Sequence, residues 1–177
     1  MKTRSLIPLC LALFATHTLA VAGDFHAGLY NSLKGVGVGI DYDANEDICN
    51  SYILYADIFG LPDGSIAYPG IKLVYLHQNS ILRFCGNDAE YVVFIAPGFS
   101  TGYVRDHGKA NPGYVTAADF SLCVRMNTSS SIRLELGFLA EIGLISRFSS
   151  TGSQVGIYSN GLRQCWYPSI KIMYRFR

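Results

Sequence analysis

The feature that most constrains this chain is the alternation of apolar and polar residues in its last third. Every second residue of segment 132–144 is apolar, whereas the residues between include Arg133, Glu135 and Glu141. Segment 165–177 repeats the pattern, with apolar residues from Trp166 onward at alternate positions. Successive side chains of a strand point to opposite faces, so each segment predicts a β-strand with one apolar and one polar face.

The same alternation recurs along the chain, and no segment shows sustained helical periodicity. The predicted strands are 33–42, 50–59, 70–77, 80–85, 90–105, 113–126, 132–144 and 165–177. Glycines 35, 37 and 39 occupy the polar face of the first strand, which suits the crowded inside of a narrow barrel. We therefore expect an all-β fold, an eight-stranded antiparallel up-and-down transmembrane β-barrel.

The N-terminus has the organisation of an export signal. Lys2 and Arg4 precede an apolar run, 6–15, and the small residues of Ala20-Val21-Ala22 offer a cleavage site. The run is shorter than the roughly 20 apolar residues of a spanning helix. We expect a cleaved signal peptide over residues 1–22 and one barrel domain over 23–177.

Composition points to a lipid-facing surface. The signal carries two of the 14 basic residues and none of the 13 acidic ones, so the remaining chain has a net charge of −1 and no basic excess that indicates nucleic acid. Charged residues make up 15% of the chain, against about 25% in soluble domains. An exported chain that is apolar without being helical predicts a barrel wall in the outer membrane of a Gram-negative bacterium, with membrane lipid as its neighbour.

These features together resemble a known family. The signal peptide, the eight strands and a last strand that ends near an aromatic residue resemble small outer membrane β-barrels of the OmpA/OmpX type, and segments 96–106 and 167–176 are similar to those of small barrels from Bacteroidetes. The resemblance implies that the barrel-assembly machinery reads the C-terminal strand, where Phe176 precedes Arg177. We expect Trp166 at one membrane interface, and Tyr174 and Phe176 at the other.

Charged residues on the predicted inward faces are the candidate site. They are Asp41, Asp57, Lys72, Asp119, Arg125, Arg133, Glu135, Glu141, Lys171 and Arg175. An eight-stranded barrel leaves no room for a wide channel, so we expect these charges to pair as a polar plug. A narrow, gated ion path lined by the same residues is the alternative.

The strand order predicts which connections face outward. With both termini in the periplasm, loops 106–112 and 147–164 are extracellular and are candidates for binding a ligand, whereas 127–130 is a periplasmic turn. The same scheme places Asp57, Arg125, Arg133, Glu135 and Arg175 near the periplasmic end.

Four cysteines follow the signal: Cys49, Cys85, Cys123 and Cys165. Three disulfide pairings are open, and unpaired thiols are the alternative. Under the predicted strand order Cys49 and Cys165 share the outer rim, and Cys85 and Cys123 lie toward the periplasm. Pairing within each end is then the connectivity that geometry favours.

The sequence favours a structural or surface-interaction role over the alternatives, which are a narrow porin-like channel, a soluble lipocalin-like ligand carrier and an enzyme that modifies lipid A. Catalysis of that kind needs a histidine beside a serine nucleophile. None of His26, His77 and His107 stands in a His-x-Ser arrangement on one strand face. We therefore expect no enzymatic activity, no cofactor and no metal.

Overall fold

A computed structural model describes residues 23–58, 70–86, 88–104, 113–128, 131–149, 152–160 and 167–176. Nine strands form in these ranges: β1 (Asp24–Ser32), β2 (Gly35–Asp43), β3 (Ile48–Asp57), β4 (Gly70–Cys85), β5 (Ala89–Val104), β6 (Gly113–Thr128), β7 (Ile132–Ser149), β8 (Gly152–Asn160) and β9 (Tyr167–Phe176). The described residues contain no helix that is long and apolar enough to cross a membrane. The predicted signal peptide lies outside them.

The strands pair antiparallel with their neighbours, and the sheet closes because β1 pairs with β9. β8 pairs with the second half of β7 and β9 with the first half, so these two strands share one position in the wall. The result is a closed barrel with eight strand positions. The predicted eight-stranded antiparallel barrel is confirmed.

The register of the pairs fixes the stagger of the barrel. One circuit of paired residues runs Ile132, Tyr174, Ala27, Ile40, Tyr52, Tyr75, Phe99, Ala118, Ile142. The circuit begins and ends on β7, and its last residue lies ten positions beyond its first. A stagger of this size for eight strands requires strands tilted by about 40° and leaves an interior that side chains fill.

Side chains divide between the two faces of the wall as the alternation predicts. On β9, Ile170, Ile172 and Tyr174 are exposed on the outside, whereas Lys171 and Met173 are buried inside. On β2, Val36, Val38 and Ile40 face outward and the glycines between them face the interior. Apolar side chains thus cover the outside of the barrel, and the interior holds most of the charge.

The two ends of the barrel differ. We call the end that holds Asp24 and Phe176 the terminal end, and the end that holds Asp57 and Gly70 the far end. The terminal end carries short connections, 44–47, 86–88 and 129–131. The longer connections, 58–69 and 105–112, begin and finish at the far end, and so does the β7–β8 hairpin.

Two strand assignments made from the sequence are wrong. Predicted strands 70–77 and 80–85 are one strand, β4, with a bulge between Ser80 and Leu82. Gln78 suggested a turn because it is polar, but its side chain is buried inside the barrel, where it hydrogen-bonds to Glu135. The sequence also assigned no strand to β1 or β8.

The missing first strand reversed several predicted positions. With β1 in place, the 44–47 turn and Cys49 lie at the terminal end rather than at the opposite rim. Asp57 lies at the far end, not beside Arg125 near the terminal end. The long 58–69 connection joins β3 and β4 at the far end, whereas the predicted strand order had placed it at the end that holds the short turns.

The predicted disulfide pairing is also wrong, because Cys49, Cys85 and Cys123 are free thiols. Cys85 pairs with Glu90 on β5, whereas Cys123 pairs with Phe94 on the same strand. Four residues of strand separate the two positions by about 13 Å, beyond the roughly 7 Å that a disulfide spans. Cys165 lies outside the described residues.

Close packing inside the wall depends on glycine at Gly37. A Cβ atom at this position would lie 2.3 Å from the backbone oxygen of Leu54 and 2.5 Å from Cβ of Tyr55. We expect Gly37→Ala to lower the free energy of unfolding by about 1–3 kcal/mol through overpacking. Gly39→Ala is the control on the same strand, since its Cβ would meet no atom closer than 3.6 Å. Urea unfolding of the two variants in lipid vesicles measures the difference, and equal losses would contradict the steric explanation.

Candidate functional site

The candidate site is the charged interior of the barrel. Nine of the ten predicted charges are buried there. The tenth, Arg175, is half-exposed at the terminal end, where its guanidinium lies 2.5 Å from Asp24 Oδ2. Asp57 is buried at the far end, and the other eight fall into two groups.

The first group, which we call the Lys171 cluster, lies toward the terminal end. It consists of Asp41, Asp43, Arg125, Arg133, Glu135 and Lys171. Its three acids and three bases balance in charge. All six are on the inward faces of β2, β6, β7 and β9, which the alternation directs into one space.

Short contacts join the members of this cluster. Lys171 Nζ lies 3.0 Å from Asp41 Oδ2 and 3.0 Å from Glu135 Oε1. Arg133 donates to Asp41 and to Asp43, both at 2.7 Å. Burying charge is costly unless partners of opposite sign and hydrogen bonds satisfy it, and this arrangement meets that condition.

Arg125 joins the cluster to the neighbouring polar and aromatic side chains. Its guanidinium lies 3.3 Å from Glu135 Oε2 and donates to the side-chain oxygen of Gln78. It also stacks over Phe94, with 4.2 Å from the guanidinium carbon to the ring centroid. A planar cation with several donors can engage a carboxylate, an amide and a ring at once, as Lys does not.

The second group, the Lys72 pair, lies toward the far end. Lys72 donates to Glu141, and Tyr158 donates to the same carboxylate at 3.1 Å. Nearby on β6, Asp119 accepts a 3.0 Å hydrogen bond from Ser100. The Lys72 ammonium also lies 5.0 Å from the Tyr158 ring centroid, within the range of a cation–π contact.

Apolar residues separate the two groups of charges. The inward row of β7 shows the order from the terminal end: Arg133, Glu135, Gly137, Leu139, Glu141, Gly143, Ile145. Leu139 belongs to a buried cluster with Tyr30, Ile53, Tyr55, Val74, Leu76 and Ala96. Ile145 belongs to a second cluster with Val104, Val115, Ala117 and Tyr158, beyond the Lys72 pair. In the described residues, therefore, the polar part of the interior is interrupted twice.

A polar vestibule opens at the terminal end. Its cavity of about 680 Å³ is lined by residues that include Asp43, Arg83, Glu90 and Arg125, with Phe94 and Val92 also in its wall. A neighbouring cavity of about 270 Å³ reaches His26 and Arg133. Both cavities end against the Lys171 cluster. The vestibule is thus lined at its inner end by members of that cluster, Asp43, Arg125 and Arg133.

The described histidines are not arranged for nucleophilic catalysis. His26 Nδ1 lies 3.5 Å from Asp43 Oδ2 inside the barrel, and His77 Nδ1 lies 3.0 Å from Asn50 Oδ1 on the outside. Ser80 donates to Asp47 at 2.6 Å rather than to a histidine. That hydrogen bond holds the pKa of Asp47, in the β2–β3 turn, below its usual value. His107 lies outside the described residues.

Nor do the described residues group three or more His, Cys, Asp or Glu side chains in a way that could hold a metal ion.

No family model and no curated protein sequence matches the chain. Solved structures do resemble it. The N-terminal β-barrel domain of OprF from Pseudomonas aeruginosa superposes with a TM-score of 0.52 at 12% identity, over 87% of this chain and 96% of that one.

The fold is that of a small outer membrane β-barrel. A major outer membrane protein from Thermus thermophilus also matches, with a TM-score of 0.49 at 10% identity, over 88% of this chain and 100% of that one.

Sequence reasoning missed several members of the interior. Gln78 and Tyr158 were assigned to connections, and Asp43 was placed just beyond the end of a strand. Ser51 and Ser100 were not singled out, although Ser51 accepts from Lys171 at 3.0 Å. Alternation carried the signal for Asp43 and Ser51, since Asp43 shares a face with Asp41 and Ser51 shares one with Asp57. The two faces of strand 90–105 are nearly equally apolar, so Ser100 carried no such signal.

Proposed function

We propose that this chain is an integral outer membrane β-barrel of a Gram-negative bacterium, with a polar, largely plugged lumen and a structural or surface-interaction role. The proposal rests on the distribution of side chains, which is the reverse of that in soluble proteins. Leu, Ile, Val and Phe residues are exposed all around the outer wall, whereas Lys72, Glu141 and Lys171 are buried inside. Lipid favours this distribution and water opposes it.

A girdle of aromatic side chains supports the same placement. It lies at the terminal end, on β1, β2, β4, β5 and β9, and consists of Phe25, Tyr42, Phe84, Tyr91, Tyr174 and Phe176. Trp166, which we expected at the opposite interface, lies outside the described residues. Three ring contacts join its members in pairs, with centroids 4.9, 5.3 and 5.5 Å apart. Aromatic girdles mark the membrane interfaces of such barrels, and short turns mark the periplasmic end. The terminal end therefore faces the periplasm in this proposal.

A soluble lipocalin-like carrier is the rival function, and it requires the opposite distribution, with an apolar interior and a charged exterior. The test is gel migration of the membrane fraction with and without heating. We expect the protein in that fraction, with a band that shifts on heating because the closed barrel resists detergent until boiled. A protein recovered in the periplasmic soluble fraction would support the carrier instead.

The depth of the apolar band gives a sharper prediction. Leu136 and Ile132 lie on β7 and are each 52% exposed, but Ile132 pairs with Tyr174 of the girdle and Leu136 lies four residues deeper. We expect Leu136→Arg to lower the free energy of unfolding in lipid vesicles by about 2–4 kcal/mol, and Ile132→Arg by about 0–1 kcal/mol. Equal costs for the two variants would mean that β7 does not cross a bilayer at this depth.

The plugged lumen rests on the two groups of paired charges and on the apolar clusters that separate them. A narrow porin-like channel would need a continuous polar path, and the cluster that contains Leu139 interrupts it. A constriction of apolar side chains excludes water and ions. The vestibule at the terminal end accordingly leads to no passage through the described part of the barrel.

We assign no catalytic role to this chain. Chemistry on lipid A would require an activated nucleophile at the outer rim, and the described histidines lie beside Asp43 and Asn50 instead. Lipid A mass spectra from cells with and without the protein test this assignment. We expect identical spectra, and a new acylation or deacylation product would contradict it.

Partners are proposed for each end of the barrel. At the far end, Val155 and Ile157 of β8 are exposed on the β7–β8 hairpin, which favours a surface interaction there together with the 105–112 connection. The C-terminal strand β9, with Phe176 in the girdle, is the segment that the barrel-assembly machinery would read. Removing residues 150–163 and finding unchanged binding to cells would count against the surface role.

A further inference from the structure

A hydrogen-bonded polar group lies on the outer wall, on β3 and β4. The outward row of β4 reads Ile71, Leu73, Tyr75, His77, Asn79, Leu82, Phe84. The outward row of β3 beside it reads Ile48, Asn50, Tyr52, Leu54, Ala56. Asn50 and His77 are directly paired across the two strands. Along β3 the pair lies between Ile48 and Tyr52, and along β4 it lies between Tyr75 and Asn79.

The pair lies within the apolar band rather than at its edge. His77 is seven residues from Phe84 of the aromatic girdle along β4. At a rise of about 3.3 Å per residue and a tilt near 45°, and with one residue taken up by the bulge, this places His77 roughly 14 Å from Phe84 in a band about 25 Å tall. On the other side, Tyr42 of the girdle is separated from His77 by Asn50, with which both pair. Polar side chains at this depth are costly in lipid and mark functional sites.

The hydrogen bonds inside the group leave two of its polar atoms without a partner in it. The Tyr75 hydroxyl donates to Asn50 Oδ1 at 2.9 Å, and His77 Nδ1 lies 3.0 Å from the same oxygen. Since Oδ1 can only accept, Nδ1 carries the proton and Nε2 is left as an acceptor. No described residue hydrogen-bonds to Nε2 or to the Asn50 amide nitrogen. The wall therefore presents one donor group and one acceptor side by side.

We propose that this wall is the interface of a two-fold symmetric dimer, in which the Asn50 amide of each copy donates to His77 Nε2 of the other. Acyl chains offer neither a donor nor an acceptor. A second copy in the same membrane presents both at the same depth, and a two-fold axis along the membrane normal brings each donor to the opposite acceptor. Interhelical hydrogen bonds strengthen association in lipid in the same way, because the hydrophobic effect does not drive it there.

The surface beside the pair suits such contact. Tyr52, Tyr75 and Phe99 form an aromatic row across β3, β4 and β5, with neighbouring ring centroids 5.2 and 5.4 Å apart. Aromatic residues supply large rigid contact area at interfaces and are enriched there. The interface rests on the membrane placement proposed above, so its test has to separate the two.

The test is photo-crosslinking in native membranes. A benzoylphenylalanine replaces Leu54 on β3, which is 49% exposed next to the proposed interface, or Leu136 on β7, which is 52% exposed on the opposite side of the barrel. We expect an adduct of two copies from position 54 and none from position 136. In the Asn50→Leu/His77→Leu background we expect the adduct from position 54 to fall about tenfold, since two symmetric hydrogen bonds are lost.

Heat-modifiable migration is measured in the same samples. Three results from a heat-modifiable membrane protein would overturn the interface and leave the proposed function intact. They are no two-copy adduct from position 54, equal adducts from both positions, and an adduct with lipid or another protein instead. A chain absent from the membrane fraction would overturn both. If the double variant fails to fold, the comparison of positions 54 and 136 in the otherwise unchanged chain still decides.

Discussion

Replacing Lys72 with methionine is expected to lower the free energy of unfolding by about 3–5 kcal/mol, because the substitution leaves Glu141 buried without its cation. Both side chains of the pair are 0% exposed, so neither water nor salt can compensate. Tyr158 still donates to Glu141, but a neutral hydroxyl does not balance the charge. Urea unfolding in lipid vesicles, followed by tryptophan fluorescence or gel migration, measures the loss.

The double variant Lys72→Met/Glu141→Met is the control for this prediction. Removing both charges from a buried pair is often neutral or stabilising, so we expect stability within about 1 kcal/mol of the parent chain or above it. A double variant that is less stable than Lys72→Met alone would show that the pair contributes more than its mutual neutralisation. A single variant with unchanged stability would place Lys72 in contact with water.

Asp41→Leu is expected to have a similar cost, about 3–5 kcal/mol, for the opposite charge. Asp41 is fully buried and lies 2.7 Å from Arg133 and 3.0 Å from Lys171, so its removal leaves more cations than anions in the Lys171 cluster. Asp43 and Glu135 remain, but each already contacts a cation. Asp43 lies 2.7 Å from Arg133, and Glu135 lies 3.0 Å from Lys171. The free energy of unfolding in vesicles is again the measured quantity.

Arg175→Gln supplies the matched control at the surface. Its partner Asp24 is 2.5 Å away, but the two side chains are 42% and 49% exposed, and exposed ion pairs contribute about 0–1 kcal/mol. We therefore expect a small effect from Arg175→Gln and a large one from Asp41→Leu. Similar effects from both would mean that the interior is as accessible to water as the rim.

The alternation of side chains was sufficient to predict the faces of β2, β3, β6, β7 and β9, but not those of β5, which are nearly equally apolar. It identified Lys171 on β9 and Arg133 on β7 as inward-facing, and Ile172 and Leu136 as outward-facing, because a strand has only two faces. Nine predicted charges are accordingly buried. The same rule could not say which of these charges meet, since that depends on the stagger of ten residues around the barrel and not on any one strand.

The ends of the strands were harder to predict for physical reasons. Gln78 reads as a turn residue in the sequence, and partners from distant strands, Glu135 and Arg125, make its burial favourable. β1 has a weak pattern because the aromatic Tyr30 lies on its inward face and the polar Asn31 on its outward face, and its strand form comes from pairing with β2 and β9. Omitting β1 reversed the assignment of Asp57 and Cys49 to the two ends of the barrel, because each added strand inverts the direction of those that follow.

Single-channel recording from the purified barrel in planar bilayers tests most directly the central claim that charge pairs and apolar clusters close the lumen. Leu139 lies between the Lys171 cluster and the Lys72 pair, so we expect protein inserted in the bilayer to show no channel openings at either voltage polarity. Insertion is verified in the same preparation by heat-modifiable migration of the reconstituted protein. Reproducible openings of a constant size from the unmodified chain would contradict the claim and establish a narrow channel instead.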